Sequence, residues 1–400
     1  MTPQQASEPS TNRESSNQEA LLSTASKVGN VFAAEATAGE TLRRLSPPAW
    51  DAIIESEFFT SLVPARFGGR ELDFDVIPHM VREMAKGDVA SAWVAAFLNH
   101  HNWQFGLFDL ETQAEVWADR NYALAPATLA PTGQATKVKG GWELSGRWQW
   151  GTGVMHSEWA LLTAVSDGSS PELLLVLLPL SDVEVFDVWH TDGMRATGSN
   201  DMLVANAFVP DRRAVTHRQI SKREAPGQLA NDNPLYRLDM LNLLSVDATA
   251  TAVGGGERMV ELFQEVLEGR TLMFGGKQRE ASASQIRLAR AASIMRSARL
   301  MFDVLVEDLC APLHGGSFHD PATRVRMRMD CAHIVDLVKQ VGNLAADGAG
   351  ASSHFLDAPL QRFRRDIGTL SGHVLFDYDR AGELHGQMML GVKPPAGTLI

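Results

Sequence analysis

The chain has 400 residues, which is too many for a single compact hydrophobic core, so we expect two or three subdomains. Its formal net charge of −12 argues against nucleic acid or an anionic membrane as a partner. No apolar run approaches the length of a membrane span, and the N-terminus lacks a basic-then-apolar signal pattern. Two cysteines, Cys310 and Cys331, cannot form a disulfide framework, and neither stands at zinc-ligand spacing from histidines. These features predict a soluble, cytoplasmic protein without a metal site.

Changes in hydrophobic period divide the chain into four parts. Residues 1–16 are polar and aperiodic, which predicts a disordered tail, and residues 17–121 have helical spacing. Residues 122–232 show a period of two with turn signals between short runs, which suggests a small β-barrel or sandwich. Residues 233–400 return to long helices, which favours an antiparallel bundle. The strand candidates are Tyr122–Ala127, Gln134–Lys139, Trp142–Trp150, Trp159–Val165, Leu173–Leu178, Val183–Val188, Met202–Val209 and Arg213–His217. The late helix candidates are Tyr236–Leu267, Ala281–Leu309, Pro321–Ala346 and Leu360–Leu390.

One helix of the N-terminal part, predicted over residues 89–108, has an unusual face. Trp93, Phe97 and one histidine recur at i, i+4 and i+7 or i+8, so they share one side of the helix. An apolar stripe with an imidazole is typical of a pocket wall, and the alternative is a satisfied or solvent-exposed histidine. The spacing does not choose between the adjacent His100 and His101.

The most informative strand candidate runs through Trp142–Gly153. Tryptophans and a leucine alternate with polar residues, so Trp142, Trp148 and Trp150 are predicted to share a buried face. The strand leads into Gly-Thr-Gly, where missing Cβ atoms allow close backbone approach and Thr152 adds a hydroxyl. This combination suggests a planar cofactor, with an ordinary tryptophan-rich hairpin as the alternative.

The strand motif resembles that of the acyl-CoA dehydrogenase fold, in which a tryptophan and a threonine lie against a flavin ring. The matching residues are Trp150 and Thr152, followed by Gly153. The resemblance covers roughly residues 18–400. It implies an α+β protein with an N-terminal helical domain, a central β-barrel or sandwich domain and a C-terminal four-helix bundle.

Two further motifs follow in the order of that family. Arg270, Phe274 and Gln285 resemble the family's signature at the flavin phosphate and at neighbouring-subunit contacts. Arg365 and Asp366 resemble its late arginine–aspartate pair. The resemblance therefore implies flavin-binding roles for Arg270, Phe274 and Gln285.

The segment after the arginine–aspartate pair departs from the dehydrogenases. Most of them carry a catalytic glutamate there, because removing the α-proton of a thioester needs a carboxylate base. This chain has no carboxylate in that segment and has His373 instead. Glu257, on an earlier helix, is interpreted as a surface or interhelix charge.

The closer resemblance is to the two-component flavin-dependent monooxygenases. It is carried by His373 and by the segments Val63–Gly69, Ser145–Trp148, Gly193–Asp201 and Phe208–Pro210. The resemblance implies a homotetrameric oxygenase component that takes reduced FAD, with FMN as the alternative, from a separate flavin reductase. O₂ then forms a C4a-hydroperoxide that oxygenates a small aromatic or heteroaromatic substrate resembling phenol or indole.

The implied site places His373 as the catalytic residue, because a neutral imidazole can accept or donate a proton near neutral pH. Trp93 and Phe97, with His100 or His101, would line the substrate side. Arg195 and Ser199 stand in a hydroxyl-rich loop and either serve the site or brace the loop. Two other functions stay open: an acyl-CoA dehydrogenase or flavin oxidase with an unrecognised base, and a non-catalytic flavin-fold binding protein.

Overall fold

Helices form the N-terminal part of the computed structural model, which describes residues 10–273 and 275–394, with side chains from residue 17 onward. Helix α1 begins at Ser10, inside the predicted tail, so that predicted tail is too long; residues 1–9 lie outside the described residues. Short 3-10 helices at Phe58–Thr60 and Ala65–Phe67 follow the second helix. The helices are α1 (Ser10–Leu42), α2 (Pro47–Glu55), α3 (Val76–Ala85), α4 (Val89–Phe105) and α5 (Leu110–Val116).

Helix α4 lies at the centre of the molecule. It begins at Asp88, whose side chain accepts a hydrogen bond from Ser91 N at 2.9 Å, as an N-cap aspartate does. All of its residues are buried, because α1, α3, α8 (Met240–Gly269) and α11 (Pro359–Leu370) pack around it. A helix with no wet face presents side chains to every neighbouring layer. Helix α4 can therefore contribute residues to a site between the domains.

The central part is a seven-stranded sheet within the described residues. Its order is β5-β6-β2-β1-β3-β4-β7, with β1 and β3 parallel and the other neighbours antiparallel. Inward side chains from β2, β3, β4 and β6 form a separate apolar core that includes Leu144, Trp148 and Leu162. The strands are β1 (Ala127–Val138), β2 (Gly141–Gly151), β3 (Trp159–Ser166), β4 (Leu173–Pro179), β5 (Glu184–Phe186), β6 (Asn200–Pro210) and β7 (Ala214–Thr216).

The predicted strand Tyr122–Ala127 is wrong. Two backbone N–H groups there bond to side chains instead of a neighbouring strand: Ala123 N donates to Asn102 Oδ1 at 2.9 Å, and Leu124 N donates to Glu158 Oε1 at 3.0 Å. Pro126 has no N–H to give to a ladder. The first strand starts at Ala127 and absorbs the second candidate.

The C-terminal part is a bundle, preceded by the short helices α6 (His217–Lys222) and α7 (Pro226–Ala230). Helices α8, α9 and α10 pack against one another, and α10 also contacts α11 and α12. The glutamate that was interpreted as an interhelix charge is confirmed as one, because Glu257 lies 3.6 Å from Arg82 and 2.9 Å from Arg299. The bundle helices are α8 (Met240–Gly269), α9 (Ser282–Cys310), α10 (Pro321–Ala349), α11 (Pro359–Leu370) and α12 (Tyr378–Met389).

The single helix predicted over Leu360–Leu390 is wrong. Helix α11 ends at Leu370, a 3-10 turn spans Val374–Phe376, and α12 begins only at Tyr378. Two side chains start the new turns: His373 accepts from a backbone N–H of the 3-10 turn, and Asp377 caps α12. This break in the fourth helix places the half-buried His373 against helix α4.

No helix in the described part of the chain is long and apolar enough to cross a membrane. No group of three histidine, cysteine, aspartate or glutamate side chains is arranged there to hold a metal ion. Cys310 and Cys331 are both buried and free.

Candidate active site

A row of rings on helix α4 forms one wall of the candidate site. Trp93 and Phe97 stack with centroids 4.3 Å apart, and the His101 ring meets Phe97 edge-on at 6.1 Å. His100 instead stacks on Trp103 at 5.5 Å. Of the two adjacent histidines, His101 therefore continues the Trp93–Phe97 row.

His373 reaches the same wall from the break between α11 and α12. Its ring lies 5.4 Å from Trp93 and 6.2 Å from Phe97, centroid to centroid, in edge-on contacts. Phe376 closes this side, with its centroid 6.4 Å from that of Trp93. The structure thus brings together residues that are about 280 positions apart in the sequence.

Backbone contacts fix opposite tautomers in the two histidines of the wall. His101 Nδ1 contacts Ala125 O, and because a carbonyl only accepts, Nδ1 carries the proton and Nε2 keeps a lone pair. His373 Nδ1 accepts from Leu375 N at 3.3 Å, so its proton is on Nε2. Burial lowers the pKa of each to about 4, which keeps both rings neutral at pH 7. One wall therefore offers a proton acceptor and a proton donor.

Thr152 links the β domain to this wall. Trp93 Nε1 donates to Thr152 Oγ1 at 3.3 Å, and Thr152 Oγ1 lies 3.0 Å from Ser199 Oγ. Gly153 has a φ of +72°, and its N–H donates to Thr197 O at 3.1 Å. The loop between β5 and β6, residues 187–199, is called the 190s loop here. The N–H of Gly153, a predicted cofactor residue, thus holds the end of strand β2 against this loop.

Trp150 does not share the buried face of Trp148, so that prediction is wrong. A register shift between Trp148 and Gly151 marks a bulge, and Trp150 adopts a φ of +65° that turns its indole outward. The side chain is 59% exposed, whereas Trp148 is fully buried. A bulky residue in the left-handed region costs on the order of 1–3 kcal/mol and is concentrated at ligand sites.

The residues around Thr152 fit a flavin ring. An exposed indole and a buried hydroxyl oxygen lie two residues apart at one strand exit, and the hydroxyl oxygen contacts Trp93 of the aromatic wall. A planar heteroaromatic ring needs this combination of a flat apolar surface and a polar edge contact. The residues that would hold the ring are Trp150 and Thr152.

The predicted phosphate residues lie elsewhere. Helix α8 meets the start of α4 at Gly255, where an added side chain would touch Val89. Arg270 comes fifteen residues later, at the end of α8, so the helix rise separates it from Gly255 by roughly 22 Å. Arg270 Nη1 donates to Ala349 O at 2.7 Å. Gln285 is exposed and donates to Arg279 O at 3.0 Å. Phe274 lies outside the described residues.

Buried charges, among them the aspartate of the late arginine–aspartate pair, hold the loop between β5 and β6 in place. Asp366 Oδ1 accepts from Met194 N at 2.5 Å, and Arg362 Nε lies 3.7 Å from Asp88 Oδ1. Burial, together with the neighbouring Asp88 carboxylate, raises the pKa of Asp366 well above its usual value. Arg195 Nε donates to Glu40 O at 3.1 Å, so Arg195 braces the loop. The signal in the sequence was the polar residues interrupting the apolar stripe of α11.

Comparisons with known proteins agree with this geometry. Residues 247–378 match the family model described as acyl-CoA dehydrogenase, C-terminal domain. A pigment production hydroxylase from a Rhodococcus species is 34% identical over 341 residues, covering 84% of this chain and 88% of that protein. The chain belongs to the two-component flavin-dependent monooxygenases of the acyl-CoA dehydrogenase fold. It is an oxygenase component, and its cofactor is a reduced flavin.

Two other similar proteins support the family assignment of this monooxygenase. The oxygenase subunit HsaA of Mycobacterium tuberculosis is 28% identical over 369 residues, covering 91% of this chain and 93% of that protein. XiaF from a Streptomyces species, solved with FADH2 and glycerol, superposes with a TM-score of 0.91 at 27% identity, covering 97% of this chain and 99% of that one. The family assignment therefore replaces the two alternative functions, an acyl-CoA dehydrogenase or flavin oxidase and a non-catalytic flavin-fold binding protein.

The buried histidines of this monooxygenase predict acid sensitivity. Burial lowers the pKa of His101, His217 and His373 to about 4, against about 6.5 unfolded, so the unfolded chain binds more protons between those values. The stabilisation is fully present above pH 6.5 and is lost as the pH falls towards 4. Each histidine contributes up to about 1.4 kcal/mol per pH unit. Urea unfolding from pH 7 to 4.5 measures this slope; His373→Gln should reduce it, and a flat profile contradicts the prediction.

Proposed function

We propose that the protein oxygenates a small aromatic or heteroaromatic substrate of the phenol or indole type at this aromatic wall. The observation that carries the proposal is the pair of opposite histidine tautomers on one aromatic wall. His101 Nε2 presents a lone pair that can accept the proton of a ring hydroxyl or ring N–H. His373 Nε2 presents a proton that can be donated to an oxygen atom.

The rest of the wall suits a flat apolar ring. Trp93, Phe97 and Phe376 are all buried, and their ring planes meet in stacked and edge-on pairs. Other similar proteins are named for resorcinol, p-hydroxyphenylacetate and indole-3-acetate, each of which contains an aromatic ring. These names support the substrate class and leave its ring substituents open.

A bound reduced flavin supplies the two electrons that allow O₂ to insert one oxygen atom into the substrate and release the other as water. Trp150 would pack on that ring, and Thr152 Oγ1 would bond to its edge. His101 takes the substrate proton at Nε2, which makes the ring carbon more electron-rich. His373 would donate its Nε2–H as a hydrogen bond to the oxygen atom that leaves as water. Both imidazoles are neutral at pH 7, so one presents a lone pair and the other an N–H.

A reductase assay tests this function. The purified protein, FAD or FMN, NADH and an unrelated flavin reductase are incubated with a panel of phenols and indoles, and products are identified by mass spectrometry. We expect a product heavier by one oxygen atom for at least one ring compound, only when the reductase is present. Release of hydrogen peroxide without product across the whole panel would overturn the substrate class.

We further propose that the flavin comes from a separate diffusible reductase and that FAD is preferred. The two buried free cysteines support a reducing cytoplasmic location.

A homotetramer is supported by apolar side chains on one face of α9, where Ile286, Leu300 and Val304 are each more than half exposed. Light scattering of the protein and of Val304→Glu tests this association.

Arg270 is proposed to bind the phosphates of a neighbouring copy's flavin, with Phe274 and Gln285 beside it, because Arg270 lies roughly 22 Å along α8 from the point where α8 meets the start of α4. Arg270→Ala should weaken binding of reduced FAD roughly tenfold or more, the loss expected for a charged hydrogen-bond donor. Arg287→Ala is the matched control, because Arg287 also donates to the end of α10, at Asp347 O. Anaerobic titration measures both, and equal affinity losses for the two variants would contradict the role.

A further inference from the structure

A continuous chain of hydrogen bonds runs from the aromatic wall into the 190s loop. Trp93 Nε1 lies 3.3 Å from Thr152 Oγ1, which lies 3.0 Å from Ser199 Oγ. Ser199 Oγ lies 2.8 Å from Thr197 Oγ1, and Thr197 Oγ1 lies 2.9 Å from Met194 O. We call the three hydroxyl residues Thr152, Ser199 and Thr197 the hydroxyl relay.

The two ends of the relay fix the direction of every proton in it. Met194 O only accepts, so Thr197 must donate to it and has no proton left for Ser199. Ser199 must then donate to Thr197, and Thr152 must donate to Ser199. At the other end of the chain, Trp93 Nε1 can only donate, so it occupies one of the lone pairs of Thr152 Oγ1. Thr152 Oγ1 is left with one free lone pair and no free proton.

The acceptor end of the relay is held rigidly. Met194 O also accepts from Trp189 Nε1 at 2.9 Å, and Met194 N donates to the buried Asp366. Thr197 and Ser199 are 2% and 4% exposed, so water does not offer their hydroxyls other partners. A buried chain of this kind reverses only if a hydrogen bond is broken, and unpaired buried groups are costly.

We propose that the hydroxyl relay makes the site selective for reduced over oxidised flavin. The proposal rests on the function above, in which Thr152 Oγ1 bonds to the edge of the ring, and it takes N5 as the edge atom that Thr152 meets. Reduced flavin carries a proton on N5 and can donate it to a lone pair, whereas oxidised flavin has only a lone pair there. Thr152 Oγ1 therefore accepts a hydrogen bond from the reduced ring, whereas its lone pair repels the lone pair on N5 of the oxidised ring. Ser199 and Thr197 act through Thr152 as positioning residues for this preference.

The dissociation constants of reduced and oxidised flavin test the relay. Both are measured by titration, the reduced form under anaerobic conditions, together with the reduction potential of the bound flavin. Ser199→Ala and Thr197→Val free the Thr152 proton to turn towards oxidised N5. Each variant should reduce the preference for reduced flavin by roughly fivefold, the effect of one hydrogen bond, mainly through tighter oxidised-flavin binding. Thr197→Ser keeps the hydroxyl and should behave like the wild-type protein.

The outcomes separate this proposal from the one it rests on. If the wild-type protein binds neither flavin form, both proposals are overturned. If it binds flavin and the preference is unchanged in Ser199→Ala and Thr197→Val, only the relay is overturned. Ser157→Ala controls for hydroxyl loss near the site, because Ser157 Oγ donates to Gly153 O at 2.9 Å outside the relay.

Discussion

Replacing His373 with alanine should lower product formation by roughly a hundredfold or more while changing the affinity for reduced flavin by less than about threefold. The loss follows because a positioned proton donor contributes typically 10²–10⁴-fold to rate. His373 contacts the Trp93 and Phe97 rings rather than the Trp150–Thr152 side that is proposed to hold flavin. Product yield per O₂ consumed, measured beside flavin titration, separates the two effects.

His373→Gln distinguishes proton transfer from hydrogen bonding. Glutamine keeps an N–H near the Nε2 position but lacks the second ring nitrogen through which an imidazole can replace a proton that it passes on. We expect intermediate activity, with more hydrogen peroxide released per O₂ than in the wild-type protein. Wild-type coupling in His373→Ala would remove His373 from the catalytic assignment.

Replacing His101 with asparagine should lower oxygenation of a phenolic substrate by about a hundredfold at neutral pH. Asparagine can still donate to Ala125 O, as His101 Nδ1 does, so the local fold is kept while the Nε2 lone pair is lost. The size of the loss is that of a general base. Initial rates at pH 8.5, where a phenol ionises more readily, should recover part of the activity.

The neighbouring histidine provides a matched control for this variant. His100 lies on the same helix and is fully buried, but neither nitrogen has a hydrogen-bond partner among the described residues. His100→Phe should leave the ratio of product to O₂ unchanged. Because the pKa of His101 is lowered to about 4, wild-type activity should show no histidine limb between pH 6 and 8. An equal loss in both variants would mean that packing, and not the Nε2 atom, explains the result.

The sequence was sufficient for the order of the domains because hydrophobic period changes sharply at their boundaries. It was not sufficient where the backbone departs from regular periods. Trp150 follows the alternation of its strand, yet a bulge turns it outward. The segment around His373 has the composition of a helix, yet side-chain caps at His373 and Asp377 break it. Both departures lie at the site, where irregular backbone is expected.

The site was partly predictable for a chemical reason. The missing carboxylate directed attention to His373, and helical spacing placed Trp93 and Phe97 together, as the structure shows. The spacing could not separate His100 from His101, since that choice depends on Ala125, which lies in a loop from another part of the chain. The hydroxyl relay was also out of reach, because its bonds join residues that are distant in sequence.

A single-turnover experiment with ¹⁸O₂ tests the central claim most directly. The protein is loaded anaerobically with reduced flavin and a phenol that serves as substrate in the reductase assay, and is then mixed with ¹⁸O₂ without reductase or NADH. An oxygenase component predicts one ¹⁸O atom in the product and close to one product per flavin oxidised. Unlabelled product, or flavin oxidation that yields only hydrogen peroxide, would contradict the account.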